Sequence, residues 1–507
     1  MNLLVLPVLV PMVAAASSLL LWKSVSAQRL VALLGALGLA LVNGMIFART
    51  QTGEILVLGF GNWPAPFGIA FVADRLAGIM LLATGVIAVA VQIYSFSGID
   101  SDRESFGFYP LTLILLMGVS GAFLTGDIFN LYVWFEVLLI ASFVLMSLGG
   151  ERLQLQGAVK YVTLNLVSSA LFLTALGLLN GSLGTLNMAH LSERVAEAGD
   201  PGFTTALAVL FLVAFSIKSA LFPLYGWLPA SYHTPPAAVS ALFAGLLTKV
   251  GVYALIRTFT LIFTQDPGFT HQLVLLPLAA MTILAGGMGF WVQHDMRRAC
   301  AFAIVASVGV ALVGLAMTGI PGSEAARTLA LAGALAYVFQ TMLVKTQLFL
   351  MAGIVRRAMG SCDLRTIGGL AATAPWLAAM AMIGLLAFAG VPPLSGFAPK
   401  VAVLRASLDL QQGWVAACIL AGSVLALAGV ARIWSEAFWK KPLHRPDESE
   451  QDQPANALAR IVPVTGLALC IVALGLGAGP VFDAAEAAAR QLLDPSAYIR
   501  AVLGGGP

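Results

Sequence analysis

The chain has 507 residues, of which 59% are hydrophobic and only 10% are charged, and its mean hydropathy is +0.93. Because a soluble globular domain carries roughly 25% charged residues, this composition excludes an ordinary soluble protein. The net charge of +3 is spread over many segments and forms no basic stripe of the kind that binds nucleic acid.

Apolar runs that can cross a hydrocarbon core of roughly 30 Å recur along the whole sequence. Each must be helical in lipid, because only a helix pairs its own backbone polar groups within one segment. We therefore predict an all-α polytopic membrane protein with about fourteen transmembrane helices. The predicted spans are 2–22, 28–48, 69–95, 109–124, 127–149, 159–182, 204–231, 236–262, 272–292, 298–318, 327–358, 374–402, 412–434 and 456–476.

The segments between the spans differ in basic content. One side holds the richer set of Lys and Arg, which marks the cytoplasmic side, so both termini are expected to face away from the cytoplasm. The longest polar loop is Lys440–Gln453, and the tail Val481–Leu503 is mildly amphipathic, which predicts a helix at the membrane interface. The richer set is Lys23, Arg29, Arg103, Arg152, Lys160, Arg297, Arg298, Arg356, Arg357, Arg365, Lys440, Lys441, Arg445 and Arg460.

Two predicted spans contain helix breakers near their centres. Pro223 interrupts the seventh span, and the pair Pro392 and Pro393 interrupts the twelfth. Interrupted helices at matching places in two halves are typical of transporters with internal repeats and a midplane site. We predict two five-helix repeats over residues 108–262 and 272–435, with 1–107 forming the first three helices and 436–507 forming a cytoplasmic loop, the last helix and a tail.

A charged residue inside an apolar run costs roughly 2.5–3.5 kcal/mol of membrane-insertion free energy, and five such residues stand out. Burial disfavours the charged form of a lysine and a nearby carboxylate favours it, so a lysine held between these effects can exchange a proton near neutral pH. We predict a proton relay in which the first two residues form a switchable ion pair; a static salt bridge with hydrated lysines is the alternative. The five residues are Glu136, Lys218, Lys249, Lys345 and Lys400.

Other polar residues could line a path to this row or serve in proton uptake. Thr248 and Gln340 lie within spans, whereas His233, His294 and Asp295 lie near the predicted cytoplasmic ends. Asp127 is predicted to be the N-cap of the fifth span. No phosphate loop, nucleophile motif, metal-ligand spacing or haem-ligand pair is present in the sequence, so no cofactor, no metal site and no enzyme activity is predicted.

The segment FPLYGWLPASYHTPPAAVSALFAGLLTKVGVYALIR resembles the antiporter-like subunits shared by respiratory complex I, membrane-bound hydrogenases and Mrp-type antiporters. HDMRRACAFAIVASVG is similar to the start of the tenth span in that family. Three segments look most like the D-type subunits of Mrp antiporters: GDIFNLYVWFEVLLIASFVL, GAVKYVTLNLVSSALFLTALGLLNGSLGTLNMA and GVPPLSGFAPK. One departure is Gln340, which stands where many relatives carry histidine.

The resemblance implies fourteen helices in two inverted five-helix repeats, each with a broken helix, and a charged axis through the five residues above. It implies a membrane component of a multisubunit Na+(K+)/H+ antiporter in a bacterial inner membrane. Its partners would be A-, B-, C-, E-, F- and G-type subunits, protons, Na+ or K+, and the lipid bilayer. The alternative within the family is a proton-pumping component of an NADH:quinone oxidoreductase or membrane-bound hydrogenase; a non-transporting scaffold is a third reading.

Overall fold

The computed structural model describes residues 2–63, 66–441 and 454–504 and is almost wholly helical. Within those residues twelve helices are long and apolar enough to cross a membrane, and Phe108–Leu124 and Pro375–Ala389 are shorter apolar helices. The all-α, multi-pass prediction is confirmed. Most of the predicted loop Lys440–Gln453 lies outside the described residues.

The first part of the chain contains three long helices and the only hairpin among the described residues. A single 3-10 turn, Leu3–Val5, precedes α1. The elements are α1 (Leu6–Leu20), α2 (Val25–Gln51), β1 (Leu56–Gly59), β2 (Ala70–Ala73), α3 (Arg75–Gly98) and α4 (Ser101–Ser105).

The next elements cover the first predicted repeat, and a π-helical turn at Phe243–Leu247 joins its last two helices. The elements are α5 (Phe108–Leu124), α6 (Ile128–Ser147), α7 (Arg152–Leu183), α8 (Met188–Glu197), α9 (Pro201–Ser219), α10 (Trp227–Ser231), α11 (Ala237–Leu242) and α12 (Thr248–Leu261).

The remaining elements begin with a π-helical segment at Gly268–Leu275, and another follows α19 at Trp434–Trp439. The elements are α13 (Leu276–Val292), α14 (Met296–Ala316), α15 (Glu324–Met359), α16 (Leu370–Thr373), α17 (Pro375–Ala389), α18 (Phe397–Asp409), α19 (Gly413–Ile433), α20 (Pro454–Leu476), α21 (Ala478–Leu493) and α22 (Ser496–Leu503).

The two halves follow the same order of helices. In each half a very long helix, α7 with 32 residues or α15 with 36, precedes a broken helix, α9–α10 or α17–α18. This order fits the predicted pair of five-helix repeats. The exact domain boundaries remain a prediction.

Aspartates fix where several helices begin. The side chain of each accepts a hydrogen bond from the backbone N–H three residues later, which satisfies one donor that the first turn leaves unpaired. The N-cap role predicted for Asp127 is confirmed, with Asn130 N at 2.7 Å. The helices α3, α6, α9 and α14 have as N-caps Asp74, Asp127, Asp200 and Asp295.

The predicted third span, 69–95, is wrong at its start. Residues Ala70–Ala73 form an antiparallel strand with Leu56–Gly59, and the helix begins only at Arg75. Ala-Phe-Val-Ala is apolar enough to extend a helical run, but its backbone groups pair across the hairpin. Asp74 then starts α3 by accepting from Ala77 N at 2.9 Å.

One end of the helix bundle, which we call the hairpin face, carries the β1–β2 hairpin, α8 and the tail α21–α22. Gly126 N donates to Ala70 O and Met188 N donates to Gly126 O, so the hairpin, the α5–α6 turn and α8 form one layer. The tail is helical, as its sequence predicts, and it packs on α15, α3 and α8. Which face lies in the cytoplasm remains a prediction.

A buried ion pair joins this layer to the core. Arg257 of α12 donates two hydrogen bonds to Asp74, at 2.6 and 2.7 Å, and both side chains are at most 3% exposed. The guanidinium also lies 5.1 Å from the ring of Tyr498 in the tail. The Asp74–Arg257 pair therefore joins the N-terminus of α3, the end of α12 and the tail.

We expect Arg257→Met to lose about 3–5 kcal/mol of stability, because the buried Asp74 carboxylate would have no partner. The double variant Asp74→Asn/Arg257→Met retains a capping side chain for α3 and removes both charges, so it should recover most of the loss. Thermal unfolding of the purified protein in detergent measures both. A double variant no more stable than Arg257→Met would contradict this account.

Candidate functional site

The first helix break places Lys218 at the end of a half-helix. The helix α9 stops at Ser219 because Ala220 adopts a left-handed conformation with φ of 62°, which a non-glycine residue rarely takes. Trp227 Nε1, at the start of α10, donates to Ile217 O at 2.9 Å and satisfies a carbonyl of the last turn. The break contains Pro223, as the sequence predicts.

Lys218 is buried, with 6% of its surface exposed, and its ammonium contacts a hydroxyl and a ring rather than a carboxylate. Its Nζ donates to Ser169 Oγ of α7 at 3.3 Å and lies 4.8 Å from the centroid of the Phe135 ring. These contacts hold the amine between α6 and α7 without fixing it in an ion pair.

Glu136 lies one residue after Phe135 on α6 and is only half-buried. It makes no direct ion pair with Lys218 in the described structure, although the two charges interact electrostatically over a longer distance. Exposed apolar residues share its face of α6, namely Phe129, Val133, Ile140 and Phe143. The switchable pair of the sequence prediction is thus separated here, and its role remains a prediction.

A small polar cavity lies beside Lys218. Its volume is about 20 Å³, which is room for about one water molecule. Tyr161, Asn165 and Tyr232 contribute polar groups to its lining, and Leu247 closes it on the side of the next helix. The cavity therefore extends from Lys218 towards the π-helical turn of the following span.

Lys249 comes directly after that π-helical turn, Phe243–Leu247. Its ammonium folds back onto the turn, donating to Ala244 O at 2.9 Å and to Thr248 Oγ1 at 3.3 Å. The helix α12 approaches the end of α9 so closely that a Cβ on Gly251 would lie 2.8 Å from Ser219 N. Isolated π turns recur at functional sites, and this one gives Lys249 its acceptor.

Lys345 is fully buried near the middle of α15. Within the described residues no protein atom accepts a hydrogen bond from its Nζ, which instead lies 3.4 Å from the centroid of the Phe388 ring. A desolvated contact of this kind stabilises a cation by about 2 kcal/mol. Lys345 interacts electrostatically with both Lys249 and Lys400.

Lys400 uses the second helix break. The half-helix α17 ends at Gly390, which has φ of 85°, and the chain passes Pro392 and Pro393 before α18 begins. From α18, Lys400 Nζ donates to Phe388 O and Ala389 O, both at 2.9 Å. The charge thus caps the negative end of the α17 dipole.

Gln340 lies one turn and a residue before Lys345 on α15. Its Oε1 accepts from Ser395 Oγ at 3.4 Å, so the amide contacts the second helix break directly. The neighbouring Nε2 is buried, without a hydrogen-bond partner among the described protein groups. Thr248, the other predicted lining residue, contacts Lys249.

The three predicted uptake residues lie at the end of the bundle opposite the hairpin face. His233 Nδ1 is 2.9 Å from Pro229 O; burial lowers the pKa of His233, and the nearby Asp295 carboxylate opposes that shift. His294 is exposed and its Nδ1 lies 2.7 Å from Arg432 Nη2. Asp295 caps α14 by accepting from Arg298 N at 2.8 Å, which is a structural role.

Sequence reasoning missed Tyr253 and Arg257, which follow Lys249 at intervals of four residues on the same face of α12. Tyr253 Oη donates to Phe123 O at 2.8 Å and lies 3.4 Å from Arg257 Nη2. A charged residue within an apolar span is uncommon, so Arg257 could have been noticed in the sequence. The spacing of four residues then places Tyr253 and Lys249 on the same face of α12.

Comparison with known proteins identifies the relatives of this chain. The family model described as NADH:quinone oxidoreductase/Mrp antiporter, TM, matches residues 125–426. The chain is 43% identical over 502 residues to the D-type subunit of an Na(+)/H(+) antiporter from Alkalihalophilus pseudofirmus, and 40% identical over 504 residues to its namesake from Bacillus subtilis. Each alignment covers 99% of both chains.

Solved structures agree with this similarity. A chain of the Mrp complex from Dietzia sp. superposes with a TM-score of 0.89 at 28% identity, covering 99% of both chains. A chain of respiratory complex I from Thermus thermophilus gives 0.81 at 25% identity, covering 97% of this chain and 99% of that one. The chain belongs to the membrane-protein family shared by NADH:quinone oxidoreductases and Mrp antiporters, and its full-length relatives include D-type antiporter subunits.

Proposed function

We propose that this chain is the D-type membrane subunit of a multisubunit antiporter that exchanges Na+ or K+ for protons. It would assemble in a bacterial membrane with A-, B-, C-, E-, F- and G-type subunits. Support comes from full-length similarity to the D-type subunits of two Na+/H+ antiporters. The observation that supports the mechanism is that four lysines are buried among the membrane-spanning helices, two of them at the helix breaks and one beside the π-helical turn.

In this mechanism protons pass along Glu136, Lys218, Lys249, Lys345 and Lys400. A buried ammonium without a carboxylate partner is costly, so each lysine can give up its proton at modest cost when the neighbouring amine becomes charged. The separated Glu136 and Lys218 support this reading, because a locked ion pair would hold the proton in place. His233, Thr248 and Gln340 would connect the row to water.

The partly buried position of Glu136 beside an apolar face of α6 supports assembly with a partner. Its Oε1 is buried without a hydrogen-bond partner among the described residues, and a carboxylate next to a membrane-facing apolar surface is expensive. A neighbouring protein that covers the face formed by Phe129, Val133, Ile140 and Phe143 would shield the carboxylate. Glu136 would then be the residue at which this chain exchanges protons with its neighbour.

The alternative, a proton-pumping component of a redox complex, is favoured by the structural likeness to a complex I chain and by the family description, which names NADH:quinone oxidoreductase as well. Purification from native membranes separates the two functions. Small hydrophobic subunits co-purifying with this chain support the antiporter, whereas flavin or iron–sulfur proteins support the redox complex. Both outcomes keep the proton path within this chain.

We expect Glu136→Ala and Lys218→Ala each to reduce antiport in everted vesicles to the level of vesicles without the complex, with assembly intact. Each removes a group that must change charge during proton transfer. Dye-monitored collapse of the proton gradient on adding Na+ measures antiport, and co-purification measures assembly.

The matched controls are Glu193→Ala and Lys160→Ala, because both residues are exposed and lie outside the row. They should retain normal exchange. Normal antiport by either Glu136→Ala or Lys218→Ala, at normal abundance, would end the proposed mechanism.

Lys345→Met and Lys400→Met should separate transport from stability. Both substitutions are expected to stop antiport. Lys400→Met should also lower the free energy of unfolding by about 1–3 kcal/mol, because it leaves the carbonyls of Phe388 and Ala389 without their hydrogen-bond donor. Lys345→Met removes a buried amine that no described protein atom hydrogen-bonds, so its unfolding temperature should be unchanged or higher. Thermal unfolding in detergent distinguishes them; equal destabilisation would refute the different roles.

A further inference from the structure

An apolar cavity of about 210 Å³ lies at the hairpin-face end of the bundle. Its lining residues come from α2, α3, α15, α20 and the tail helix α21, and every lining residue that the structure describes is apolar. A dry cavity of roughly 150 Å³ is enough to bind benzene. This cavity therefore has room for a short alkyl chain or a small ring, and its lining offers such a group no charge.

The cavity lies among helices that face the membrane. Leu41 of α2 and Leu469 of α20 are 66% and 63% exposed. Phe47 and Leu474, which line the cavity from the same two helices, are half-buried. These exposures indicate an opening towards the hydrocarbon layer, from which a membrane-soluble molecule can enter.

A second, narrow cavity of about 10 Å³ adjoins the first. It has room for no more than about one water molecule or one polar atom of a ligand. Gln340 of α15 and Ser395 of the second helix break lie in its lining, so it is polar where the larger cavity is apolar. The two cavities share the lining residues Ala336, Phe339, Leu474 and Val481.

Gln340 has an unused hydrogen-bond donor at the narrow cavity. The side chain is 2% exposed and its Oε1 accepts from Ser395 Oγ at 3.4 Å, but its Nε2 has no partner among the described protein groups. A buried donor without a partner is costly, so an acceptor oxygen placed beside it is favoured. A water molecule or the polar end of a ligand can supply that oxygen.

We propose that the two cavities together bind a neutral, membrane-soluble amphipathic molecule. Its carbonyl or hydroxyl oxygen would occupy the narrow cavity and accept a hydrogen bond from Gln340 Nε2, and its alkyl chain would fill the apolar cavity. The ligand is neutral because the described lining of both cavities contains no charged side chain. A bound ligand would contact the second helix break at Ser395 and Pro399 and the tail at Val481.

The hydrogen bond, rather than burial of the chain, would select this ligand. The hydrocarbon around the helices is as apolar as the larger cavity, so an alkyl chain alone gains little by leaving the lipid. An acceptor oxygen, in contrast, finds no donor in the hydrocarbon layer and finds an unpaired one at Gln340. A molecule that carries both parts should therefore bind better than a hydrocarbon of the same shape.

The test uses the purified complex in phospholipid nanodiscs and two probes of the same shape, 2-nonanone and 2-methyl-1-nonene. The alkene carries a methylene group where the ketone carries its oxygen, so only the ketone accepts a hydrogen bond. Thermal unfolding is followed as the probe-to-lipid ratio is raised, because a ligand of the folded state raises its stability. We expect the ketone to raise the unfolding temperature at a ratio about tenfold lower than the alkene, as one hydrogen bond to a buried donor predicts.

Three variants locate the binding. Ala484→Phe fills the apolar cavity, which Ala484 lines, and should abolish the response to the ketone. The matched control is Ala487→Phe, because Ala487 is also half-buried on α21 but does not line the cavity, and it should retain the response. Gln340→Met nearly conserves the size of the side chain but removes the donor, so the ketone should then act no better than the alkene; this variant keeps the test decisive if Ala484→Phe does not fold.

Equal responses of the unchanged complex to ketone and alkene would mean that the ligand gains nothing at Gln340, and they would overturn the proposal. So would the absence of any response to the ketone, equal weakening by Ala484→Phe and Ala487→Phe, or a preference for the ketone that survives Gln340→Met. Because the readout is binding rather than transport, none of these results bears on the proposed antiport, which requires no such ligand.

Discussion

An ammonium group in the hydrocarbon layer needs acceptors that an unbroken helix does not offer, because the carbonyls of a regular helix already accept bonds from its own backbone. In this molecule irregular backbone provides acceptors for two of the lysines. The π turn presents Ala244 O to Lys249, and the end of α17 presents two carbonyls to Lys400. Ser169 and the rings of Phe135 and Phe388 serve the other two lysines.

The contrast with the Asp74–Arg257 pair shows what these acceptors allow. Two short hydrogen bonds and full burial make that pair a fixed, neutral unit that holds the hairpin face to the core. Carbonyls, hydroxyls and aromatic rings compensate a charge only partly, and they can also tolerate a neutral amine. The same chain therefore contains a charged pair locked by two short hydrogen bonds and lysines held only by carbonyls, hydroxyls and aromatic rings.

Much of this architecture follows from composition and the positions of proline. Apolar runs predict the helices, and Pro223, Pro392 and Pro393 predict the two breaks. The hairpin strand Ala70–Ala73 escaped detection because an apolar tetrapeptide fits a strand and a helix equally well. The π turn before Lys249 was equally hidden, since Phe243–Leu247 consists of residues that suit a regular helix. The separation of Glu136 from Lys218 depends on side-chain packing between α6 and α7, which one sequence does not encode in any readable pattern.

The hairpin face also has a bearing on how the chain is put together. Arg75 N, at the start of α3, donates to Gln491 Oε1 at 3.1 Å, and these two residues are 416 positions apart. All the intervening helices must be inserted before this contact forms. The tail can therefore cover the Asp74–Arg257 pair only after the chain has been synthesised as far as Tyr498.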